Sequence, residues 1–252
     1  MTELLAGRGI VITGSARGLG LAFAEACAAA GARVVMADIL GQQVQTEAAG
    51  LQAKGYQVYP MTLDLADFDS ITAVADAAIE ALGKVDGLVN CGAIATGIGG
   101  LDLEQLESQT WDQVMAVNVR GLWQMTKALT PALRASGQGK VVNIASDTAL
   151  WGAPKLLAYV ASKGAVIAMG RSMARELGPD NICVNTLCPG LTLGEATDYV
   201  PEERHRQYVE GRAIPRPQTA EDVTGSLVYL LSDMANFVTG QTIPVNGGFV
   251  FN

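Results

Sequence analysis

The sequence has very little histidine and no paired-cysteine motif. His205 is the only histidine among 252 residues, and Cys27, Cys91, Cys183 and Cys188 form no CxxC pair. Zinc sites are built mainly from cysteine and histidine ligands, so we predict no metal site. Cys183 and Cys188 lie in one strand-like run at an odd separation, which places them on opposite faces. We therefore expect reduced thiols rather than a disulfide.

The sequence also lacks an excess of basic charge and a long apolar run. Lysine and arginine total 17 against 25 aspartates and glutamates, which gives a net charge of −8 and a pI of about 4.7. Nucleic acid and anionic membranes require a basic face, so these partners are excluded. No segment approaches the ~18 uninterrupted apolar residues that span a bilayer. The start of the chain has no basic or apolar part of a signal peptide, and we expect a cytoplasmic protein.

Apolar residues are abundant, at 49% of the chain against 17% charged, which is enough for a large core. Short apolar runs alternate with longer amphipathic stretches, a pattern typical of parallel strands covered on both faces. We predict an α/β fold over residues 1–252, a single-domain doubly wound parallel sheet of Rossmann type with helices on both faces. The predicted strands are Gly9–Thr13, Ala32–Asp38, Tyr56–Leu63, Gly87–Asn90, Lys140–Ser146, Cys183–Cys188 and Gln241–Val245. Helices are expected at about 18–30, 41–54, 68–82, 108–135, 155–177 and 219–233.

A glycine-rich turn, Thr13-Gly-Ser-Ala-Arg-Gly-Leu-Gly20, joins the first strand to the first helix. Glycines let the backbone approach a pyrophosphate, and the helix N-terminus supplies N–H groups and a positive dipole. A glycine turn alone is weak evidence, but this one follows a strand, opens a helix and precedes an acidic residue at the end of the next strand. We predict a dinucleotide site with contacts from Gly14, Ser15, Arg17, Gly18, Leu19 and Gly20.

Asp38, at the end of the second strand, points to NAD as the cofactor. A carboxylate there can accept both hydroxyls of the adenine ribose, and it repels a 2′-phosphate. Arg17 favours NADP instead, because it could pair with that phosphate, but no second cation follows Asp38. Asp64, followed by Leu65, ends the third strand beside the expected adenine pocket. Its carboxylate could accept the adenine amino group or cap the next helix, and the sequence leaves both open.

Tyr159 and Lys163 lie four residues apart, and on a helix they share one face. A phenol titrates near 10, and a neighbouring ammonium would stabilise the phenolate and lower its pKa. Ser146 ends an apolar strand and can hydrogen-bond a substrate oxygen. A tyrosine and a lysine at this spacing usually lie on the protein surface without a catalytic role. This pair lies downstream of the nucleotide motif, and Ser146 lies between the motif and the pair, which favours a catalytic role.

Together these residues resemble the classical short-chain dehydrogenase/reductase family over essentially the whole chain. The resemblance is carried by the glycine turn, Ser146 and Tyr159-x-x-x-Lys163, and further by Asp64, Asn90, Asn118, Pro189-Gly190 and Asn246-Gly-Gly248. It implies that Tyr159 exchanges a proton with the substrate oxygen and that Ser146 orients the carbonyl. It implies that Lys163 lowers the pKa of the tyrosine and binds the nicotinamide ribose. Asn118 would hold a water that links Lys163 to solvent.

The chain departs from the family pattern at three places. The family's Asn-Asn-Ala-Gly is Asn90-Cys-Gly-Ala93 here, and its terminal Asp-Gly-Gly begins with Asn246. Five residues beyond Pro189, where the family often has threonine, this chain has Gly194, so Thr192 would contact the nicotinamide carboxamide through its backbone N–H. The cofactor contacts that the resemblance adds are Asn90, Tyr159, Lys163, Pro189, Gly190 and Thr192.

In this family the segments after the catalytic serine and after Pro-Gly form the substrate pocket. Leu150, Trp151, Leu156 and Leu157 would give an apolar wall suited to hydrophobic or ring-bearing alcohols and ketones, or would pack against another subunit. Residues 191–217 are loop-rich and are expected to form a lid. The predicted substrate contacts are Ser146, Thr148, Trp151, Leu156 and Tyr159.

The charged residues Lys155, Arg204, His205 and Arg206 could meet a substrate anion, although such side chains are more often solvated. His205 lies between two arginines on a polar segment, and we do not expect it to be a catalytic base. The pocket residues therefore leave the substrate itself open.

The predicted function is hydride transfer between NAD(H) and a secondary alcohol or its ketone. One alternative is a 3-oxoacyl-thioester reductase that uses NADPH, which Asp38 and the lack of a basic docking patch disfavour. Another is a non-catalytic dinucleotide-binding protein, which the complete set of Asn118, Ser146, Tyr159 and Lys163 disfavours.

The helices expected near 108–135 and 155–177 carry more apolar positions than packing on the sheet requires, which suggests self-association. The second of them carries Ala161, Ala165, Ile167, Ala168 and Met169, and the chain ends in an apolar run with Phe249 and Phe251, where ends are usually polar. We expect a closed symmetric assembly, and the resemblance points to a homotetramer. In the alternative, the two phenylalanines fold back onto their own subunit.

Overall fold

The computed structural model describes residues 3–251, with the backbone alone at Ala196; residues 1, 2 and 252 of the predicted domain lie outside it. Seven strands form one parallel sheet in the order β3-β2-β1-β4-β5-β6-β7. Their bounds are β1 Gly9–Thr13, β2 Arg33–Asp38, β3 Val58–Thr62, β4 Gly87–Asn90, β5 Lys140–Ile144, β6 Cys183–Pro189 and β7 Thr242–Val245. The predicted Rossmann-type parallel sheet is confirmed.

The helices pack on both faces of the sheet. Their bounds are α1 Gly18–Ala29, α2 Gly41–Ala53, α3 Phe68–Leu82, α4 Ser108–Met115, α5 Leu122–Ala135, α6 Thr148–Trp151, α7 Leu157–Leu177, α8 Glu202–Gly211 and α9 Glu221–Leu231. Because side chains alternate along a strand, Ile10 and Ile12 join the core under α1, α2 and α9, whereas Val11 joins the core under α3, α5 and α7. Two apolar layers therefore fix the sheet between two sets of helices.

The sheet order places a crevice at the carboxyl ends of its central strands. From β1 the chain builds outwards to β2 and β3, and then returns to the other side of β1 with β4. Connections leave β1 and β4 on opposite faces, and ligands of such sheets bind at this reversal point. Asp38, Asn90 and Pro189, which the sequence predicts to be functional, end strands on this edge.

Three local features differ from the predicted elements. The expected helix 108–135 is interrupted by a π-helical turn, Ala116–Gly121, and the helix expected from 155 begins at Leu157 after Lys155, whose φ of 60° is left-handed. The segment 191–217, predicted to be loop-rich, contains the ten-residue helix α8. Its sequence is mostly charged and buries only Tyr208, so it gave no amphipathic signal, although Glu202 and Glu203 suit a helix N-terminus.

Three structural features relate to the composition of the chain. All four cysteines are unpaired thiols. Within residues 3–251, no helix has both the length and the apolar character that crossing a membrane requires. The same residues contain no group of three or more histidine, cysteine or acidic side chains that could hold a metal ion.

Candidate active site

The turn after β1 is shaped by glycines in conformations that other residues avoid. Gly14 and Gly18 have φ of 68° and 56°. A Cβ at Gly14 would lie 2.5 Å from Gly92 Cα, and one at Gly20 would overlap the Gly14 carbonyl oxygen. A Cβ at Gly18 would meet no atom within 4 Å, so the turn is open on that side. No side chain caps the N-terminus of α1, which leaves its first N–H groups available to a phosphate.

Thr13 joins this turn to the loop after β4. Its Oγ1 accepts hydrogen bonds from the backbone N–H groups of Cys91 (3.1 Å) and Gly92 (3.0 Å). Leu65 packs beneath the same loop, since a Cβ at Gly92 would lie 2.7 Å from Leu65 Cδ1. Ser15 is buried, and its hydroxyl donates to the Ala37 carbonyl at 3.4 Å. Thr13 was not among the predicted site residues, although it heads the glycine motif.

Asp38 is held rigidly at the end of β2. Its Oδ2 accepts from the backbone N–H of Ala16 at 2.9 Å, and its Oδ1 accepts from that of Leu40 at 3.0 Å. Each carboxylate oxygen has about two acceptor positions, so each keeps one for a ligand hydroxyl. Arg17, the basic residue that could pair with a 2′-phosphate, forms an ion pair with Glu195 at 2.7 Å.

Asp64 does not cap the following helix, so that alternative is wrong. Its Oδ1 accepts from the backbone N–H of Ala66 at 2.8 Å, within the turn after β3. The N-cap of α3 is Asp67, which accepts from Asp69 N–H at 2.9 Å. Asp64 and Asp67 both precede this helix, and the cap position falls on the second of them.

Asn90 and Asn118 are both engaged by neighbouring groups. The Asn90 amide donates to Thr126 Oγ1 (3.0 Å) and Asn143 Oδ1 (2.9 Å), so this side chain joins β4, β5 and α5. Asn118 Oδ1 accepts from Ile94 N–H at 2.7 Å, and its Nδ2 donates to the Ile94 carbonyl at 3.0 Å and to Ser162 Oγ at 3.1 Å. Both amide hydrogens are used, so a water at Asn118 would have to donate to one of the oxygens of this residue.

Ser146, Tyr159 and Lys163 meet beside the end of β5. Lys163 Nζ donates to the Ile144 carbonyl at 2.7 Å and lies 5.6 Å from the centre of the Tyr159 ring. Burial lowers the pKa of Lys163 to about 8. Burial also raises the pKa of Tyr159 above its ordinary value, and a hydrogen bond with Ser146 opposes that rise only in part. The phenol pKa therefore moves in the opposite direction from the one the sequence predicts.

The hydroxyl of Ser146 is aimed by its neighbour Thr148. Ser146 Oγ accepts from the Thr148 hydroxyl at 2.9 Å and from the Thr148 backbone N–H at 3.2 Å. These two contacts fill the acceptor positions of the oxygen and leave its hydrogen to be donated. A serine held in this way can donate to Tyr159 or to a carbonyl oxygen placed beside it.

The segment after β6 covers this edge of the sheet. Pro189 ends β6, Gly190 N–H donates to the Val245 carbonyl at 3.1 Å, and the Thr192 hydroxyl donates to the Gly190 carbonyl at 3.0 Å. Tyr199 Oη reaches across to the Ala95 carbonyl at 2.6 Å. The segment therefore contacts the loop after β4.

The predicted apolar wall is anchored within the chain. Trp151 Nε1 donates to Tyr208 Oη at 3.1 Å, and Leu156 packs on Gly99, where a Cβ would lie 2.8 Å from Leu156 Cδ2. Of the charged candidates, Lys155 pairs with Asp102 at 3.3 Å and Arg204 lies 5.4 Å from the Trp151 ring centre. His205 Nε2 lies 3.4 Å from the Thr197 carbonyl, and Arg206 is exposed.

Sequence reasoning missed one cluster entirely. Asp147, next to Ser146, contacts Tyr208 and Asn246, which lie 61 and 99 residues away in the chain. No local motif links these positions, so only the folded structure reveals them.

Comparisons with known proteins show which family the chain resembles. A family model described as enoyl-(acyl carrier protein) reductase matches residues 14–250. The chain is 33% identical to a probable galactose dehydrogenase GalD of Rhizobium meliloti (strain 1021), over 96% of this chain and 94% of that protein. It is 34% identical to 2-(S)-hydroxypropyl-CoM dehydrogenase 3 of Xanthobacter autotrophicus, over 98% of both.

A 3-oxoacyl-[acyl-carrier-protein] reductase FabG of Thermotoga maritima is 32% identical over 98% of this chain and 99% of that protein. A crystal structure of a putative short-chain alcohol dehydrogenase from Sinorhizobium meliloti 1021 superposes with a TM-score of 0.90 and 30% identity, over 97% of both chains. Members of this family bind a nicotinamide dinucleotide. The chain belongs to the short-chain dehydrogenase/reductase family of oxidoreductases.

Proposed function

We propose that this enzyme transfers hydride between NAD(H) and a secondary alcohol or its ketone, with Tyr159 as the acid/base. The observation that carries the proposal is the meeting of Ser146, Tyr159 and Lys163 beside the end of β5, on the edge that carries the glycine turn. The cofactor, when bound, supplies or accepts the hydride. Every other task falls to side chains and backbone groups of this chain.

The glycine turn fits the pyrophosphate of such a cofactor. The turn is open at Gly18 and the N-terminus of α1 is uncapped, which is the cradle that a phosphate requires. Gly14, Ser15, Arg17, Gly18, Leu19 and Gly20 would surround it. Asp64 and Leu65 would flank the adenine, and Asn90, Pro189, Gly190 and Thr192 would line the nicotinamide end. Lys163 would bind the ribose, so it serves both cofactor and tyrosine.

Asp38 supports NAD over NADP. Its carboxylate is fixed by two backbone N–H groups and keeps one acceptor position on each oxygen for the ribose hydroxyls. A 2′-phosphate would meet this charge. Arg17, which could offset the repulsion, is paired with Glu195.

The proton chemistry follows from the pKa directions. Because burial raises the pKa of Tyr159, its proton is in place at neutral pH to protonate a ketone oxygen while Ser146 donates to the same oxygen. Alcohol oxidation needs the phenolate instead. We therefore expect the oxidation rate to rise with pH beyond neutrality while the reduction rate does not. A flat oxidation profile between pH 7 and about 10 would contradict this reading of Tyr159.

The substrate proposal is a hydrophobic or ring-bearing alcohol. Trp151 and Leu156 are half-buried apolar side chains on the segment that follows Ser146, Thr148 contacts Ser146 directly, and residues 191–217 would serve as the lid. The names of the relatives cover a hydroxyalkyl thioether, a sugar and an acyl thioester, so they leave the substrate class open.

A turnover screen tests the proposal against its alternatives. Purified protein is mixed with NAD or NADP and a panel of cyclic, aryl and linear secondary alcohols, or with NADH or NADPH and a 3-oxoacyl thioester, and the absorbance of the reduced cofactor is followed. We expect turnover with NAD and a ring-bearing alcohol. Turnover only with NADPH and a 3-oxoacyl thioester would favour the thioester reductase, a reaction named for one relative. Cofactor binding without turnover would favour a non-catalytic role.

The same chain is proposed to act as a homotetramer. An open groove of about 1240 Å³ runs between α4, α5 and α7, and its lining includes Trp123, Met169 and Met173. Trp123 is 46% exposed and Phe251 is 81% exposed, whereas Ile167 and Phe249 pack within their own subunit. The fold-back alternative thus holds for Phe249 and not for Phe251. Light scattering tests the assembly. We expect the mass of four chains for wild type and a smaller mass for Trp123→Glu. A monomeric wild type would refute the proposal.

A further inference from the structure

Asp147 is a buried carboxylate that the proposed proton chemistry does not use. It follows Ser146 directly and is 0% exposed. Its backbone N–H donates to the Pro189 carbonyl at 3.0 Å, so the residue lies between the ends of β5 and β6. A charge buried there requires compensating hydrogen bonds.

Those hydrogen bonds come from two distant segments. Tyr208 Oη donates to Asp147 Oδ1 at 2.8 Å, and Asn246 Nδ2 faces Asp147 Oδ2 at 3.3 Å. Arg212 stabilises the same negative charge and donates to the backbone carbonyls of Asn246 (3.0 Å) and Leu191 (2.8 Å). Burial nevertheless raises the pKa of Asp147 to about 6. The partners are donors, so they match the ionised form.

Tyr208 is the single buried residue of α8. Its side chain is 2% exposed, so it is the most deeply packed contact between that helix and the rest of the fold. Its ring stacks on Phe249 with centroids 4.2 Å apart, and both rings meet Trp151 edge to face at 6.2 and 5.7 Å. Trp151 Nε1 also donates to Tyr208 Oη, so a directed chain of hydrogen bonds runs from Trp151 through Tyr208 to Asp147.

We infer that Asp147 is a positioning residue for substrate: through Tyr208 and Asn246 it fixes α8 and Trp151 beside Ser146 without touching the substrate. The inference rests on the proposed function for its kinetic consequence. The ionised carboxylate of Asp147 accepts the hydrogen bonds of Tyr208 and Asn246. Because residue 246 carries an amide, it places no second negative charge beside Asp147. A carboxylate at 246 would face Asp147 and break the arrangement, and exchanging the two residues would restore one acid and one amide.

The first test is Tyr208→Phe, which removes only the hydroxyl and keeps the stacked ring. A hydrogen bond to a charged group contributes enough that we expect the KM for the alcohol to rise about tenfold. The kcat at saturating alcohol and the Kd for NAD should change little, because Ser146, Tyr159 and the glycine turn are untouched. Tyr229→Phe, on the exposed side of α9, is the matched control. A fall in kcat with unchanged KM would overturn the inference.

The second test is a charge exchange. Asn246→Asp and Asp147→Asn should each raise the KM for the alcohol, and the double variant Asp147→Asn with Asn246→Asp should recover most of the loss. Recovery requires that both positions act through one contact, since independent structural damage would add up instead. A double variant as impaired as the worse single variant, or more so, would overturn the inference.

Hydrogen exchange separates this inference from the proposed function. In Tyr208→Phe and Asn246→Asp, amides of residues 202–211 should exchange faster while those of α7 stay protected, whether or not a substrate is known. Unchanged exchange over 202–211 would overturn the positioning role. Wild-type protein without turnover on any alcohol would instead refute the proposed function and leave this result standing.

Discussion

The two halves of the active-site edge are held together by different means. On the proposed cofactor side, after β1, β2 and β4, the geometry is set mainly by the backbone: Gly14 and Gly18 adopt left-handed conformations, and Asp38 is fixed by two backbone N–H groups. On the substrate side, after β5, β6 and β7, side chains from distant segments meet: Asp147, Tyr208 and Asn246.

The difference has a physical consequence for how each half tolerates change. A backbone cradle is set by local sterics, so a single added methyl group can destroy it whatever lies elsewhere. A side-chain network is set by pairs, so its members can change together and can be exchanged against each other. The cofactor half is therefore suited to one constant ligand, and the substrate half to ligands that differ among relatives.

The largest expected effect lies where the two halves meet, at Tyr159. Tyr159→Phe removes the proton donor and should lower kcat by about 10²–10⁴-fold, the usual contribution of a positioned acid or base. Binding of NAD and the thermal unfolding curve should be those of wild type, since Phe keeps the ring. The measurement is steady-state turnover beside a calorimetric NAD titration. Turnover near that of wild type would remove Tyr159 from the mechanism.

The next effect tests the backbone half. Gly14→Ala places a Cβ 2.5 Å from Gly92 Cα in a left-handed conformation, which costs about 1–2 kcal/mol before the clash is counted. We expect a lower free energy of unfolding and loss of NAD binding. Gly50→Ala in α2, where a Cβ meets no atom within 4 Å, is the control and should stabilise the helix by up to about 1 kcal/mol. Equal NAD affinity in both variants would break the comparison.

The cofactor half was the part that the sequence could predict. Its glycine turn, Asp38 and the strand ends follow from local patterns, and the parallel sheet agrees with expectation. Outside that half, the four-residue spacing also brings Tyr159 and Lys163 together on α7, as expected. The predicted lowering of the Tyr159 pKa was wrong in direction, because burial raises that pKa and burial depends on the whole fold. Helix α8 and the Asp147 cluster were missed because a charged sequence with one buried tyrosine has no periodic signal, and the cluster's contacts span 61 and 99 residues.

A smaller effect distinguishes the two forms of the cofactor. Asp38→Ala removes the charge that a 2′-phosphate would meet, and we expect the preference for NAD over NADP to shrink about tenfold in kcat/KM, the range of one charged hydrogen bond. Asp64→Ala is the matched control, because adenine is common to both cofactors and both affinities should fall together. A wild-type enzyme that prefers NADP would contradict the role of Asp38 directly.

The smallest expected effect concerns the ion pair that joins Arg17 in the glycine turn to Glu195 in the segment 191–217. Arg17 and Glu195 are 2.7 Å apart, with side chains 38% and 61% exposed, and exposed pairs contribute about 0–1 kcal/mol. Glu195→Gln frees Arg17 to face a 2′-phosphate, so the Kd for NADP should fall by no more than about fivefold, while that for NAD stays constant. Salt near 1 M, where the Debye length is about 3 Å, should erase the gain. The double variant Arg17→Ala with Glu195→Gln should lose the gain at low salt as well. If it keeps the gain, Arg17 is not the group that meets the phosphate, and the gain comes from the loss of the Glu195 charge instead.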